Sequence, residues 1–167
     1  MSVRSKRLQN DFQALSELVY NSGGTLKIIS LEGNPPYKYL IQYRCKGIQE
    51  FKNRIPILRN LHQVEFLLGN NYPRKEPDVR FVTPIFHPNI YPSNRVCLGN
   101  YWSIMETLPE LVLRVGKFIQ YSKDVLNLNS PANSEAKKWA ARNMKDFPLD
   151  NQTFTSELIR EIVWDDT

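Results

Sequence analysis

Phe86-His87-Pro88-Asn89-Ile90, followed by Val96-Cys97-Leu98, sets one cysteine ten residues after His87 in an otherwise apolar, strand-like neighbourhood. A lone thiol delivered by a His-Pro-Asn turn is the pattern of a site that carries an acyl group as a thioester, a form that amines attack readily. Cys97 is the candidate nucleophile. His87 and Pro88 read as structural, because a histidine before a fixed-φ proline locks a turn more often than it titrates or ligates. Asn89 has two open readings. Its amide either stabilises the oxyanion that forms when an amine attacks, worth roughly 2.7 to 4 kcal/mol, or pins the adjacent loop through backbone hydrogen bonds.

Upstream of this stretch the chain opens with a helix and continues in strands. Leu8, Phe12, Leu15 and Val19 form one apolar stripe, and Gly23-Gly24 ends the helix. Segments 25–31, 37–45, 63–68 and 79–82 are rich in β-branched and aromatic residues. Gly33-Asn34-Pro35-Pro36 and Asn70-Asn71-Tyr72-Pro73 separate them as turns. A four-stranded antiparallel meander is the simplest account. Residues 47–61 fit neither period and read as a loop or a short strand.

Downstream, Thr107-Leu108-Pro109-Glu110 has capping-box spacing with proline in the first turn, and Leu111, Val112, Val115, Phe118 and Ile119 follow at helical intervals. A buried central helix running to about Asn127 is expected. Residues 134–144 predict another helix with Ala136, Trp139 and Ala140 inward. A last one is predicted over 155–164, with Leu158, Ile159, Ile162 and Val163 as core or as a docking face. Helix, strands, irregular stretch and helices in that order argue an α+β fold.

A length of 167 residues with 41% apolar content suits one packed domain. The opening residues lack the apolar run of a secretory signal and no segment approaches a membrane span, so a cytoplasmic protein without membrane association is expected. Two cysteines far apart, in a reducing compartment, suggest neither a disulfide framework nor a zinc site. His62 and His87 have no ligand spacing with them, so no metal is expected. Cys45, in a strand beside Tyr43, reads as a small packed residue. The net charge of +5 suits an acidic protein surface or weak nucleic-acid contact. No recognition motif or aromatic-basic stripe supports a specific nucleic-acid partner.

Tyr72-Pro73-Arg74-Lys75-Glu76-Pro77-Asp78-Val79-Arg80-Phe81, then the His-Pro-Asn turn, Cys97-Leu98, Trp102-Ser103 and Asn129-Ser130-Pro131-Ala132-Asn133, together resemble the ubiquitin-conjugating enzyme (E2) family. The resemblance extends over most of the chain. It implies the E2 fold, a four-stranded antiparallel meander packed on helices, as a single domain over 1–167 with 146–167 as a C-terminal helical extension. It also implies that Cys97 accepts a ubiquitin-like protein from an E1 activating enzyme, which uses the ATP, and passes it to a target-protein amine. No cofactor is implied for this chain. Ser130 stands where the family carries Asp or Ser on a loop gating the cysteine; a turn or N-cap serine is the equally open local reading.

Departures shape these expectations. Gly99 replaces an acidic residue that many members carry two positions after the cysteine. Arg74 and Ile104-Met105 replace apolar and Pro-Ala contacts, which counts against a RING-type ligase. The basic face of the first helix, Arg4, Lys6 and Arg7, is the implied contact for the E1. Such divergence is similar to bacterial E2-like proteins from conjugation operons. The competing class is a non-catalytic variant that binds ubiquitin-like proteins. The presence of Cys97 and Asn89 at the right interval counts against it.

Overall fold

In the computed structural model the described residues are 1–99 and 102–155. Helix α1 spans Val3–Tyr20, capped by the Ser2 side chain, which accepts from the Ser5 amide. Its buried side chains, Leu8, Asp11 and Leu15, lie on one stripe as the apolar spacing predicts, except that the central member is a carboxylate. Strands β1 (Leu26–Gly33), β2 (Pro36–Lys52), β3 (Ile55–Leu67) and β4 (Asp78–Phe81) form one antiparallel sheet in sequential order. Along β2, Tyr39, Ile41, Tyr43 and Cys45 are buried at period two against α1 and helix α2 (Leu108–Ile119).

The interval 47–61 corrects the expectation of a loop or short strand. It is the distal half of a long β2–β3 hairpin that turns through Asn53 and Arg54, both at positive φ. Register shifts between Arg44 and Gly47 and between Ile48 and Glu50 change which face each residue takes, so strict alternation disappears from the sequence. Gly47 fits one shift because a Cβ there would stand 2.7 Å from Ile119 and 2.8 Å from the His62 ring.

Helix α2 also ends earlier than about Asn127. Its C-cap is Gln120, and Tyr121 adopts φ 58°, which an α-helix cannot continue through. A short 3-10 turn, Lys123–Val125, follows. The capping box forms as expected: the Glu110 amide donates to Thr107 Oγ1 and the Thr107 amide donates to Glu110 Oε2 at 2.7 Å. Helix α3 is Ser134–Arg142, with Asn133 as its N-cap.

The distal hairpin has its own core. Ile48 and Phe51 pack with Phe86, Tyr121, Trp139, Ala140 and Phe147, and the Phe51–Phe86 and Tyr121–Phe147 ring centroids are 4.7 and 4.8 Å apart. Phe86 is thereby held by β2 and by Tyr121 immediately before His87, its amide donating to Ile48 O and its carbonyl accepting from the Tyr121 hydroxyl. Of the expected 146–167 extension, residues 147–155 form a non-helical strap across α2. Leu149 donates to Gln120 O, and Gln120 and Gln152 exchange two further bonds. Phe154 is buried against Gly116 and edge-on to Tyr43. The rest of the helix predicted over 155–164 falls outside the described residues.

Candidate active site around Cys97

Neutral histidine chemistry shapes the turn that precedes the cysteine. His87 is fully buried between Phe118 and Tyr121, with ring centroids at 5.5 and 4.6 Å, and burial pushes its imidazole down to about 3. Its Nδ1 accepts from the Asn89 amide at 2.9 Å, which assigns the proton to Nε2. His87 therefore sets backbone geometry, and Pro88 contributes its carbonyl, which accepts from the Ala132 and Asn133 amides at 2.8 and 3.1 Å.

Asn89 is built in between the turn and two neighbouring segments. Its carbonyl accepts from the Cys97 amide at 2.8 Å, and Ile90 and Val96 form an antiparallel bridge just beyond. Its side-chain Oδ1 accepts from the Asn127 amide at 3.2 Å. Among the described residues no acceptor engages Nδ2. One amide thus pins the loop through oxygen and leaves its N–H donors unengaged.

Asn127 continues the chain of contacts, its Oδ1 accepting from the Asn129 and Ser130 amides at 3.1 and 3.2 Å. The 127–133 loop is held onto His-Pro-Asn by these bonds and by the two bonds to Pro88 O. Ser130 is exposed on that loop. The reading of Ser130 as the N-cap of the following helix is corrected: Asn133 Oδ1 takes the Ala136 amide at 3.1 Å, three residues on as an N-cap must.

Cys97 is a partly buried free thiol in a cleft of about 250 Å³, which Glu76, Pro77, Tyr91, Arg95 and Gly99 also line. Tyr91, 41% exposed, lines the cleft with Cys97, and its interaction with the Cys97 thiol raises the Tyr91 hydroxyl above the usual tyrosine range. Sequence reasoning missed this residue. The signal was its place two positions after Asn89 on the short bridge that returns to Cys97. Burial pushes the Cys45 thiol far above the ordinary cysteine range and leaves it inert.

Arg4, Lys6 and Arg7 are not brought to this cleft. Arg4 donates to Leu68 O and Gly69 O. Arg7 donates to Asp11 and to the carbonyls of Ile104 and Glu106. Of the three, Lys6 is the exposed cation. Trp102 anchors the same region, its indole donating to Pro73 O at 3.0 Å.

The family model described as "Ubiquitin-conjugating enzyme" matches residues 52–154, the span that contains β3, β4, the His-Pro-Asn turn, Cys97, α2 and α3. The chain belongs to the ubiquitin-conjugating enzyme family. It is 34% identical over 80 residues to ubiquitin-conjugating enzyme E2 2 of Mycosarcoma maydis, a match covering 46% of this chain and 41% of that protein's length. It is 26% identical over 146 residues to the SUMO-conjugating enzyme UBC9 of Caenorhabditis elegans, covering 84% of this chain and 77% of that one. Among solved structures, S. cerevisiae Ubc12 superposes with TM-score 0.62 at 22% identity, over 89% of this chain and 76% of that chain. A ubiquitin conjugating enzyme from Trypanosoma cruzi gives 0.60 at 20% identity, over 86% and 94%. These two likenesses establish the E2 fold. Among the described residues no group of His, Cys, Asp and Glu could hold a metal ion, and no helix is long and apolar enough to cross a membrane.

Proposed function

We propose that this E2-family chain accepts the activated C-terminal carboxyl of a ubiquitin-like protein on Cys97, by exchange with the thioester of an E1 activating enzyme, and transfers it to an amine of a target protein. The observation that carries the proposal is the position of Cys97: a partly buried thiol in a cleft, bonded through its backbone to Asn89 and sharing the cleft with Tyr91.

Loading is thiol exchange. The Cys97 sulfur attacks the carbonyl of the E1 thioester and the E1 thiol leaves, so ATP is consumed upstream and this chain needs no cofactor. In transfer, the amine nitrogen attacks the same carbonyl and negative charge grows on its oxygen. The Nδ2 donors of Asn89 are the group to meet that charge, because Oδ1 is already committed to Asn127. The C–S bond then breaks, the electron pair stays on sulfur, and the amine's extra proton goes to solvent. Ser130, exposed on the loop tied to Pro88 and Asn127, is read as acting on the incoming group rather than on the thiol. Lys6 remains the α1 cation available to an E1.

The test is a substitution series expressed in the native host. Cys97→Ser is expected to accumulate a reductant-stable, base-labile ester with the carrier, while Cys97→Ala carries none. Adduct retained on Cys97→Ala would move the site elsewhere. Wild type and Cys97→Ser that both stay bare beside a co-expressed E1 and carrier would instead support a binding module.

A further inference from the structure

At neutral pH an acceptor amine arrives as an ammonium ion, so a thioester site that uses amines gains from a carboxylate beside its thiol. Gly99, two residues past Cys97, cannot supply one; it sits at φ 63°, a conformation that disfavours any side-chain-bearing residue. The segment Glu76-Pro77, which lines the same cleft, brings a carboxylate in. Glu76 lines the cavity with Cys97, Tyr91 and Arg95. The nearby acid Asp78 is paired with Arg95 at 3.2 Å. Glu76 is exposed and, among the described residues, has no ion-pair partner. Buried Pro77 restricts the preceding Glu76 to extended backbone.

We infer that Glu76 is a specificity residue that holds the ammonium group of the acceptor in the Cys97 cleft, so that the site selects cationic primary amines such as lysine side chains. This rests on the thioester reading above. Glu76 binds the ammonium; the ion loses one proton to water, the neutral nitrogen bonds to the carbonyl carbon, the C–S bond breaks with its electron pair staying on sulfur, which leaves as thiolate, and the nitrogen's second surplus proton passes to water to give the amide. Arg95, tied to Asp78, is kept from neutralising Glu76. Among the described residues that line the cleft, Glu76 is the one carboxylate, which makes it the local attractor for an ammonium.

The experiment charges the whole protein by exchange with a glycine-ended peptide α-thioester and follows discharge to free lysine and, separately, to hydroxylamine, which is neutral at pH 7. Glu76→Gln is expected to raise the lysine concentration for half-maximal discharge about threefold at low salt. It should leave hydroxylamine discharge unchanged. The difference should shrink in 1 M salt and be largely restored by Glu76→Asp. Equal slowing toward both nucleophiles, or no change toward lysine, overturns the role of Glu76. Wild type that cannot be charged, or that loses its peptide only to water, overturns the thioester reading and the inference with it.

Discussion

The backbone amide of Cys97 donates to the carbonyl of Asn89 at 2.8 Å, so the proposed nucleophile and the proposed oxyanion donor belong to one hydrogen-bonded pair. Loss of the Asn89 side chain should leave loading intact and slow discharge to amines about 10²-fold to 10³-fold. Asn89→Asp keeps the oxygen that binds the Asn127 amide and removes the N–H donors. If stabilising the oxyanion is the role, Asn89→Asp and Asn89→Ala slow single-turnover discharge alike; if pinning the loop is the role, Asn89→Asp discharges like wild type.

A second prediction concerns the joint between α1 and α2. Buried Asp11 accepts from Arg7 Nε at 2.9 Å, from the Tyr72 hydroxyl, and from the Leu108 amide at 3.1 Å, the first amide of α2. Removing one partner of a buried charged network strands the others, so Asp11→Ala should cost about 3 kcal/mol. For a chain of this size that lowers the melting temperature by roughly 6 to 12 °C. A thermal melt reads it, and a loss under 2 °C would show that the network contributes little.

Acid should destabilise the fold through its two histidines. Burial holds His62 down to about 4 and His87 down to about 3, whereas both titrate near 6.5 when unfolded. Below the unfolded value the unfolded chain binds protons that the folded chain refuses, so stability present above about pH 6.5 is lost as pH falls toward the folded values. Two such groups give a slope approaching about 2.7 kcal/mol per pH unit. Urea midpoints measured from pH 7 to pH 4.5 check this. His62→Gln should halve the slope between pH 6 and 5.

How far the sequence carries can be judged residue by residue. The capping box at Thr107, the apolar stripe of α1 and the β-branched and aromatic content of residues 37–45 are local patterns, and all three are realised. Residues 47–61 were opaque because two bulges and the close approach at Gly47 depend on His62 and Ile119, residues distant in sequence. The early end of α2 was hidden because Tyr121 has ordinary helix propensity; its positive φ is imposed by the aromatic cluster around His87 and Phe147. At the site, Cys97 and Asn89 stand out by spacing. Tyr91 and Glu76 emerge only when the cleft walls are assembled. Arg4 and Arg7 show the converse, since a basic helix face predicts exposure and says nothing of backbone carbonyls within reach.

The strap over α2 gives a further prediction. A Cβ on Gly116 would lie 2.4 Å from the Phe154 ring, so Gly116→Ala should displace Phe154 and cost about 1 to 3 kcal/mol. Limited proteolysis should then cut within residues 147–155 faster than in wild type. An unchanged cleavage rate would mean that the hydrogen bonds of the strap to Gln120 and to the Lys46 amide hold it without Phe154.

The central claim, that Cys97 carries a protein carboxyl as a thioester, is tested most directly by intact mass. The tagged chain is recovered from its native host under acidic, non-reducing conditions and divided into samples with and without thiol reductant. The account predicts a protein-sized adduct on Cys97 that disappears with reductant and is absent from Cys97→Ala. A chain that stays unmodified beside a co-expressed activating enzyme and carrier, or an adduct that survives the loss of Cys97, would contradict it.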